Sequence, residues 1–442
     1  MTGNLTQLLS FASVMKSIGG VVLAVVILLA MVTIHEFGHY LAGKALNFKI
    51  NEFSVGFGPA LFKKRNKKTG ELFALRLIPL GGYCAFEGED DTEDAGAKKE
   101  TSDGAEPERE PFSDFSQTAQ SDGVTKSDGV TKSAAPVAPA ERESAEVYPE
   151  AKGENFNDQP PWKRIIVLIA GATMNYLLAL VLIIVMFTCV GRPLYTMVYI
   201  PPKDPDSQTT AEATEPDPYE DPLGLCTGDT IFSVAGKEVY LVTDFIDALG
   251  GKKQGEVVRV GVYRNDAVGE RKKIWLDISL KTDANFKNMS DTDPIFTSLG
   301  IKKDYVLMGT PVKQNFFKAV GNSFVYSAKL GGLVLRSLGE LLTGKMGLTS
   351  MGGPVTTIKA TSEAASGGIL SFLNISAFIG VNLAVFNLLP IPALDGSKVV
   401  FCIIEWIRKK PINRKVEAMI HFIGIIFLFG FAILVDILQL FV

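Results

Sequence analysis

Histidine and cysteine are scarce in this sequence. Its 442 residues include three histidines and four cysteines. Cys84, Cys189, Cys226 and Cys402 lie far apart and form no C-x-x-C pair, so they predict neither a disulfide framework nor a cysteine metal site. The sequence also lacks a basic patch interleaved with aromatic residues, which argues against nucleic-acid binding.

Long apolar runs, in contrast, are abundant. Hydrophobic residues make up 47% of the chain, and its mean hydropathy is positive. Four runs, at about 18–42, 165–190, 369–389 and 416–438, are long enough to cross a bilayer. We therefore expect an α-helical membrane protein with about four transmembrane helices. The first run is too long for a cleaved signal peptide, and no small-residue cleavage site precedes the charged motif near its end.

Two of the three histidines stand in an H-E-x-x-H motif at the end of the first run. Helix positions i and i+4 share a face, so His35 and His39 can bind one metal ion. Zn²⁺ suits two imidazoles and a carboxylate, and Glu36 is placed to act as a general base. The alternative is a helix end with two hydrogen-bonded histidines. Membrane depth, where ionisable groups are costly, favours the metal site.

The third ligand must come from elsewhere in the chain. The metzincin pattern requires Gly at 42 and His at 45, where this chain has Ala42 and Ala45. His421 has no acidic or histidine neighbour at ligand spacing, which favours a packed or pore-facing side chain. Asp395, which follows the prolines at the end of the third run, is the better candidate. Alternatively, Asp395 caps the helix that follows it.

The segments between the runs differ in composition. Residues 47–86 alternate apolar and polar positions around a basic turn at 63–68, which predicts a membrane-associated β-region. Residues 87–158 contain 20 acidic and 7 basic side chains and few large apolar ones, so we expect a disordered acidic insertion. Residues 192–222 are typical of a linker, and 223–310 indicate a small soluble α/β-type module.

Charge asymmetry predicts how the spans are oriented. Basic residues follow the first run and separate the third from the fourth. By the positive-inside rule, the H-E-x-x-H end faces the cytoplasm, and both termini and residues 192–312 lie outside. Residues 314–345 are amphipathic and predict a helix on the membrane surface. The alternative is an extra span kinked at 331–332.

Two motifs together resemble the site-2 protease family of intramembrane zinc metalloproteases. These motifs are the H-E-x-x-H and the N-x-x-P-x-P-x-L-D-G at 387–396. The order of parts is similar to the RseP-like branch, which carries out regulated intramembrane proteolysis and has a PDZ domain between its second and third spans. Residues 224–231, GLCTGDTI, are similar to the PDZ G-L-x-x-G-D-x-I turn. Leu299, Gly300 and Ile301 resemble the loop that binds a peptide C-terminus.

The resemblance implies Zn²⁺ on His35, His39 and Asp395, with Glu36 as the base. The implied partners are the lipid bilayer and single-span membrane proteins such as anti-sigma factors or remnant signal peptides. The stretch ending in Gly81-Gly82-Tyr83 offers a β-edge to an extended substrate. Ala172 replaces the proline of the family's G-P-x-x-N motif, and Lys398 replaces a common histidine. The expected substrate-binding residues are Asn382, Asn387, Asn175 and Gly82.

Two other functional classes fit parts of this pattern. One is a non-catalytic membrane scaffold that presents a PDZ domain, which the intact Glu36 disfavours. The other is a transporter, which the absence of an inverted repeat disfavours.

The predicted organisation is a first transmembrane helix at 1–46, a β-region at 47–86, a disordered cytoplasmic insertion at 87–160, a second transmembrane helix at 161–191, an extracytoplasmic PDZ-like domain with linkers at 192–312, a surface helix and connector at 313–368, and two further transmembrane helices at 369–442.

Overall fold

The computed structural model describes residues 2–89, 149–199, 224–266, 269–286, 292–301, 305–348, 351–439 and 441. Its helices are α1 (Thr2–Ala45), α2 (Pro161–Val185), α3 (Thr243–Leu249), α4 (Asp293–Ser298), α5 (Phe316–Leu342), α6 (Pro354–Ser366), α7 (Ile369–Leu388), α8 (Asp395–Arg408) and α9 (Arg414–Gln439). Its strands are β1 (Ile50–Arg65), β2 (Leu72–Phe86), β3 (Arg192–Tyr199), β4 (Thr230–Val234), β5 (Lys237–Glu238), β6 (Val257–Asn265), β7 (Arg271–Ser279) and β8 (Tyr305–Val312).

Four helical segments are long and apolar enough to cross a membrane. Within the described residues these segments are Ile18–Ala45, Pro161–Val190, Ile369–Leu388 and Arg414–Gln439. They belong to α1, to α2 with the π-helical turn that follows it, to α7 and to α9. The four predicted spans are therefore confirmed, and the fold is a helical membrane protein with antiparallel β-sheets.

Small residues let the membrane helices approach closely, as is common inside bilayers. Gly38 of α1 packs so tightly on α2 that a Cβ there would lie 2.4 Å from the Ala170 carbonyl oxygen. On the other side of α2, Gly380 of α7 meets Ala179 at 3.1 Å by the same measure. Helix α2 therefore packs closely on both α1 and α7.

Strands β1 and β2 form a curled antiparallel ribbon beside the last turns of α1. Residues 52–55 pair with both 72–75 and 82–85, so they occupy the middle of the ribbon. Within the described part of the chain, residues 82–86 pair on one side and leave their other edge open. Phe53 and Phe73 contact the ring of Tyr40 on α1, with centroid distances of 5.6 and 5.8 Å. This contact places the ribbon level with the end of the first span.

The described ends of the predicted insertion are folded against the ribbon. Phe156 is buried, and its ring lies 5.4 Å from that of Phe48 and 5.5 Å from that of Phe86. The backbone N–H of Glu154 donates to the Asn47 carbonyl at 3.0 Å. The expectation of disorder over 87–160 thus does not hold at 149–160, because Phe156 supplies an apolar anchor. Residues 90–148 lie outside the described residues.

The α/β module contains a sheet in the order β7-β6-β4-β3-β8, with β5 paired to β4. Residues 192–199, predicted as part of a linker, instead form β3 between β4 and β8. The reason is that Leu194 and Met197 are buried, each 4% exposed. Pro193, which has no N–H to donate, is tolerated in β3 because β4 pairs with β3 only at Tyr195 and Thr196.

Helix α5 joins this module to the membrane helices. Its buried side chains include Ala319, Tyr326 and Leu330, which pack with residues of α2 and α7. Its polar side reaches the module, where Arg336 pairs with Asp247 at 2.6 Å. Helix α5 is not one of the four candidate spans found in the described residues.

Candidate metal centre

Two imidazole rings project from one face of α1. His35 and His39 are one helical turn apart and are both buried. Their rings meet edge to face with centroids 4.7 Å apart, and their Nε2 atoms are 3.1 Å apart. The helical spacing therefore brings two nitrogen ligands to one point.

Asp395 comes to this point from the far end of the chain. Its Oδ2 atom lies 3.0 Å from His35 Nε2 and 3.3 Å from His39 Nε2. Asp395 is the first residue of α8, whose preceding cap residue is Leu394. The three ligand atoms lie within 4.8 Å of one another, and two imidazoles with one carboxylate form a donor set that fits Zn²⁺.

The loop before Asp395 is held in an unusual backbone conformation. Ala393 has a φ of 80°, and its N–H donates to His421 Nδ1 at 3.2 Å. His421 lies outside the His-His-Asp cluster found in the described residues. It therefore supports the loop that carries Asp395.

Contacts behind the cluster orient the histidines. His39 Nδ1 lies 2.8 Å from the Val167 carbonyl oxygen, so Nδ1–H donates and leaves Nε2 free to bind a metal. Gly171 of α2 leaves room for both rings, because a Cβ there would lie 2.4 Å from His39 Nε2. The sequence prediction missed Val167 and Gly171. The adjacent small residues Gly171 and Ala172 inside an apolar run were the available signal.

Two of the predicted substrate-binding amides contact His35. Asn175 is 1% exposed, and its Nδ2 lies 3.4 Å from His35 Nδ1. Asn387 Nδ2 also lies 3.4 Å from His35 Nδ1, but this residue is only partly buried. Asn175 Oδ1 is buried without a hydrogen-bond partner in the described structure.

A cleft of about 610 Å³ opens beside the cluster. It is lined by Glu36, His39 and Asp395 on one side and by residues 83–89 on the other. A Cβ on Gly82 would lie 3.4 Å from Glu36 Cγ, so the open ribbon edge begins next to the Glu36 side chain. We call this cavity the catalytic cleft.

Two titratable side chains of the catalytic cleft, Asp395 and Cys84, lie outside the candidate spans and have shifted pKa values. Burial alone would raise the pKa of Asp395, but the adjacent His35 and His39 side chains outweigh it and lower that pKa below its usual range. Burial, with nearby Glu36, raises the pKa of the Cys84 thiol well above its usual range. An ionised Asp395 is therefore a suitable donor for a metal ion, whereas Cys84 stays protonated and is a poor nucleophile.

The remaining predicted site residues lie elsewhere. Asn382 lines a separate, mainly apolar cavity of about 410 Å³ between α5, α6 and α7. In the module, Leu299 and Ile301 are buried in the core, and Gly300 between them has a φ of 84°. Asn382 therefore lies away from the catalytic cleft, and Asn387 contacts His35 without lining that cleft.

Comparison with known proteins agrees with this geometry. The family model "Peptidase family M50" matches residues 23–431. The chain is 28% identical to "Regulator of sigma-W protease RasP" of Bacillus subtilis, over 92% of this chain and 95% of the relative. It is also 28% identical to "Zinc metalloprotease RasP" of Bacillus licheniformis, over 90% and 93% of the respective chains. The chain therefore belongs to peptidase family M50 and is a zinc metalloprotease embedded in the membrane.

Proposed function

We propose that this protease cleaves the membrane-spanning segments of single-span membrane proteins, with zinc held by His35, His39 and Asp395. One observation carries the proposal. His35, Glu36 and His39 lie near the end of the candidate span Ile18–Ala45, next to the open edge of a β-ribbon. A peptidase site at this position is suited to a substrate that is itself in the membrane.

The chemistry divides between the metal and the chain. When bound, zinc polarises a substrate carbonyl and makes water easier to deprotonate. Glu36 lines the cleft beside His39 and Asp395 without belonging to the ligand cluster. Its carboxylate takes the proton of the attacking water and delivers it to the leaving amine. Peptide hydrolysis is thereby balanced: the C–N bond breaks and water is divided between the two products.

A helical substrate must be unwound before it can be cut, because its amides are hidden in helix hydrogen bonds. The open edge at 82–86 offers backbone donors and acceptors to an extended segment. Gly82 lets the added strand approach Glu36 closely, because no side chain stands between them. The ribbon therefore holds the unwound segment against the metal centre.

The two amides at His35 have different roles in this proposal. Asn387 is partly exposed and can turn its amide towards a substrate carbonyl. Asn175 is buried behind His35 and positions the ring. Asn382, which lines the apolar cavity, contacts the part of the substrate that is still helical.

The orientation that fits this function has the metal centre near the cytoplasmic face and the module outside, as the basic residues predict. The relative from Bacillus subtilis is named as a regulator of a sigma factor, and a comparable anti-sigma substrate suits this site. The PDZ-like module would then meet the extracytoplasmic part of each substrate.

The test uses three purified variants and a single-span reporter. Glu36→Gln is expected to abolish cleavage and retain zinc, because Glu36 is a base and not a ligand. Asp395→Asn is expected to lose both, and His421→Ala is the control that keeps its zinc. Wild-type cleavage by Glu36→Gln, or full zinc in Asp395→Asn with zinc lost from His421→Ala, would overturn the assignment.

A further inference from the structure

A second cavity lies next to the catalytic cleft. It has a volume of about 520 Å³ and is enclosed by α2, α8, α9 and the segment at 156–157. Its wall combines charged side chains, such as Arg164 and Glu417, with apolar ones, such as Phe422. We call it the α9 cavity. Nothing in the catalytic step described above uses it.

The two cavities share Glu89 and Lys398 in their walls. Lys398 Nζ lies 2.7 Å from Glu89 Oε1, and both side chains are mostly buried, at 29% and 17% exposed. Lys398 stands one helical turn after Asp395, and Glu89 follows the ribbon edge. This ion pair therefore separates the catalytic cleft from the α9 cavity.

The ribbon edge leads towards this ion pair. It begins at Gly82, beside Glu36, and the chain then turns through 87–88 to Glu89. A strand advances about 3.3 Å per residue, so a peptide paired along this edge reaches the end of the cleft within several residues. Beyond that point, the adjoining space is the α9 cavity.

The α9 cavity contains a buried donor without a partner. Arg164 is 4% exposed and pairs through its NH2 group with Glu405, which also pairs with Arg414 at 3.0 Å. Its Nε has no hydrogen-bond partner in the described structure. A buried N–H left unpaired is costly, so a shift of the Arg164 side chain that brings Nε to a backbone carbonyl of a peptide in the cavity would be favourable.

We propose that the α9 cavity binds the polar segment that flanks the scissile part of the substrate, and that the Lys398–Glu89 pair parts to admit it. The ligand class is an extended peptide of mixed charge, since both signs of charge line the cavity. This inference rests on the proposed function, because it extends the path of the same substrate.

The test compares two reporters with the same membrane span. One continues for about ten residues past the scissile bond, and the other ends two residues past it with an amide cap. The readout is the ratio of kcat/KM for the long reporter to that for the short one. Lys398→Gln and Glu89→Gln are each expected to raise this ratio about fivefold, because the long flank no longer has to break a partly exposed ion pair. The double reversal Lys398→Glu with Glu89→Lys is expected to restore it.

A second variant fills the cavity. Ala418 of α9 lines it, so Ala418→Trp is expected to lower the ratio at least about tenfold by occupying the space. Met419, its exposed neighbour outside the cavity wall, supplies the matched control Met419→Trp, which is expected to keep the wild-type ratio. An unchanged ratio in Ala418→Trp, or a ratio that falls when the ion pair is neutralised, overturns the proposal. Neither result touches the proposed function, which is tested separately by cleavage of the short reporter with Glu36→Gln and by the zinc content of Asp395→Asn and His421→Ala.

Discussion

At the scale of single residues, two amide side chains lie against the same nitrogen, Nδ1, of the His35 ring, and only one of them can accept its proton. If His35 Nε2 binds the metal, Nδ1 carries the proton and needs an acceptor. Asn175 and Asn387 both turn Nδ2 towards this nitrogen. Exchanging the amide atoms of Asn175 gives His35 Nδ1–H its acceptor. Asn387 is then available for substrate.

This assignment predicts different losses for the two amides. Asn175→Ala is expected to weaken zinc binding by about 10- to 100-fold, the usual effect of losing a hydrogen-bond partner behind a metal ligand. Asn175→Asp keeps an acceptor and is expected to retain most of the affinity. Competition with a chelator of known affinity measures this directly.

Asn387→Ala is the matched control for that measurement. It is expected to bind zinc with nearly wild-type affinity and to lose cleavage activity, because its amide faces substrate. Equal zinc affinities in the two alanine variants would show that Asn175 does not orient His35.

At the scale of structural elements, the close contact of α1 and α2 limits the size of the α2 side chain opposite His35 and His39. A methyl group at Gly171 would overlap the His39 ring. Gly171→Ala is therefore expected to displace that ring and to reduce the zinc content and the activity together. Metal analysis of the purified variant, set against its thermal stability, tests this expectation.

The control for this substitution is a helical glycine with open space around it. A Cβ added at Gly332 of α5 would meet no heavy atom within 4 Å, so Gly332→Ala is expected to keep its zinc. It should also gain up to about 1 kcal/mol in stability from helix propensity. If Gly171→Ala retained full zinc as well, the close contact at His39 would not be required for the site.

The sequence predicts those elements whose signals are local. The i, i+4 spacing of His35 and His39 predicts that their side chains lie close together, because residues four apart on a helix share one face. The length of the apolar runs predicts the spans in the same local way. Residues such as Gly171 were missed because their role is set by packing between two helices. Strand β3 was missed because its proline content resembles a linker, and only its pairing with β4 and β8 shows its place.

At the scale of the whole molecule, the orientation in the membrane decides which compartment each part meets. A single cysteine at exposed Lys409, between α8 and α9, is expected to react with an impermeant thiol reagent only from the cytoplasmic side. One at exposed Lys237, in the module, is expected to react only from outside. Both are made in a Cys189→Ser background, because Cys189 is exposed. The reverse pattern would invert the proposed orientation.

The module is fastened over the membrane helices by charged contacts on α5. Lys329 pairs with Asp244, and Arg336 pairs with Asp247, so one helix face of the module is tied to α5 at two points. Helix α5 also lines the apolar cavity that contains Asn382. In this position the module can exclude substrates with bulky extracytoplasmic domains from the membrane site.

Loosening these contacts tests that exclusion without removing the module. The double variant Lys329→Gln with Arg336→Gln is expected to cut a bulky reporter several-fold faster than the wild type does, and a trimmed reporter at the same rate. Each ion pair contributes up to about 1 kcal/mol, so the two together can change access by up to about 30-fold. Lys252→Gln with Arg259→Gln removes two module charges away from α5 and controls for net charge. Both reporters accelerating equally would mean that the α5 contacts tune catalysis and do not select substrates by size.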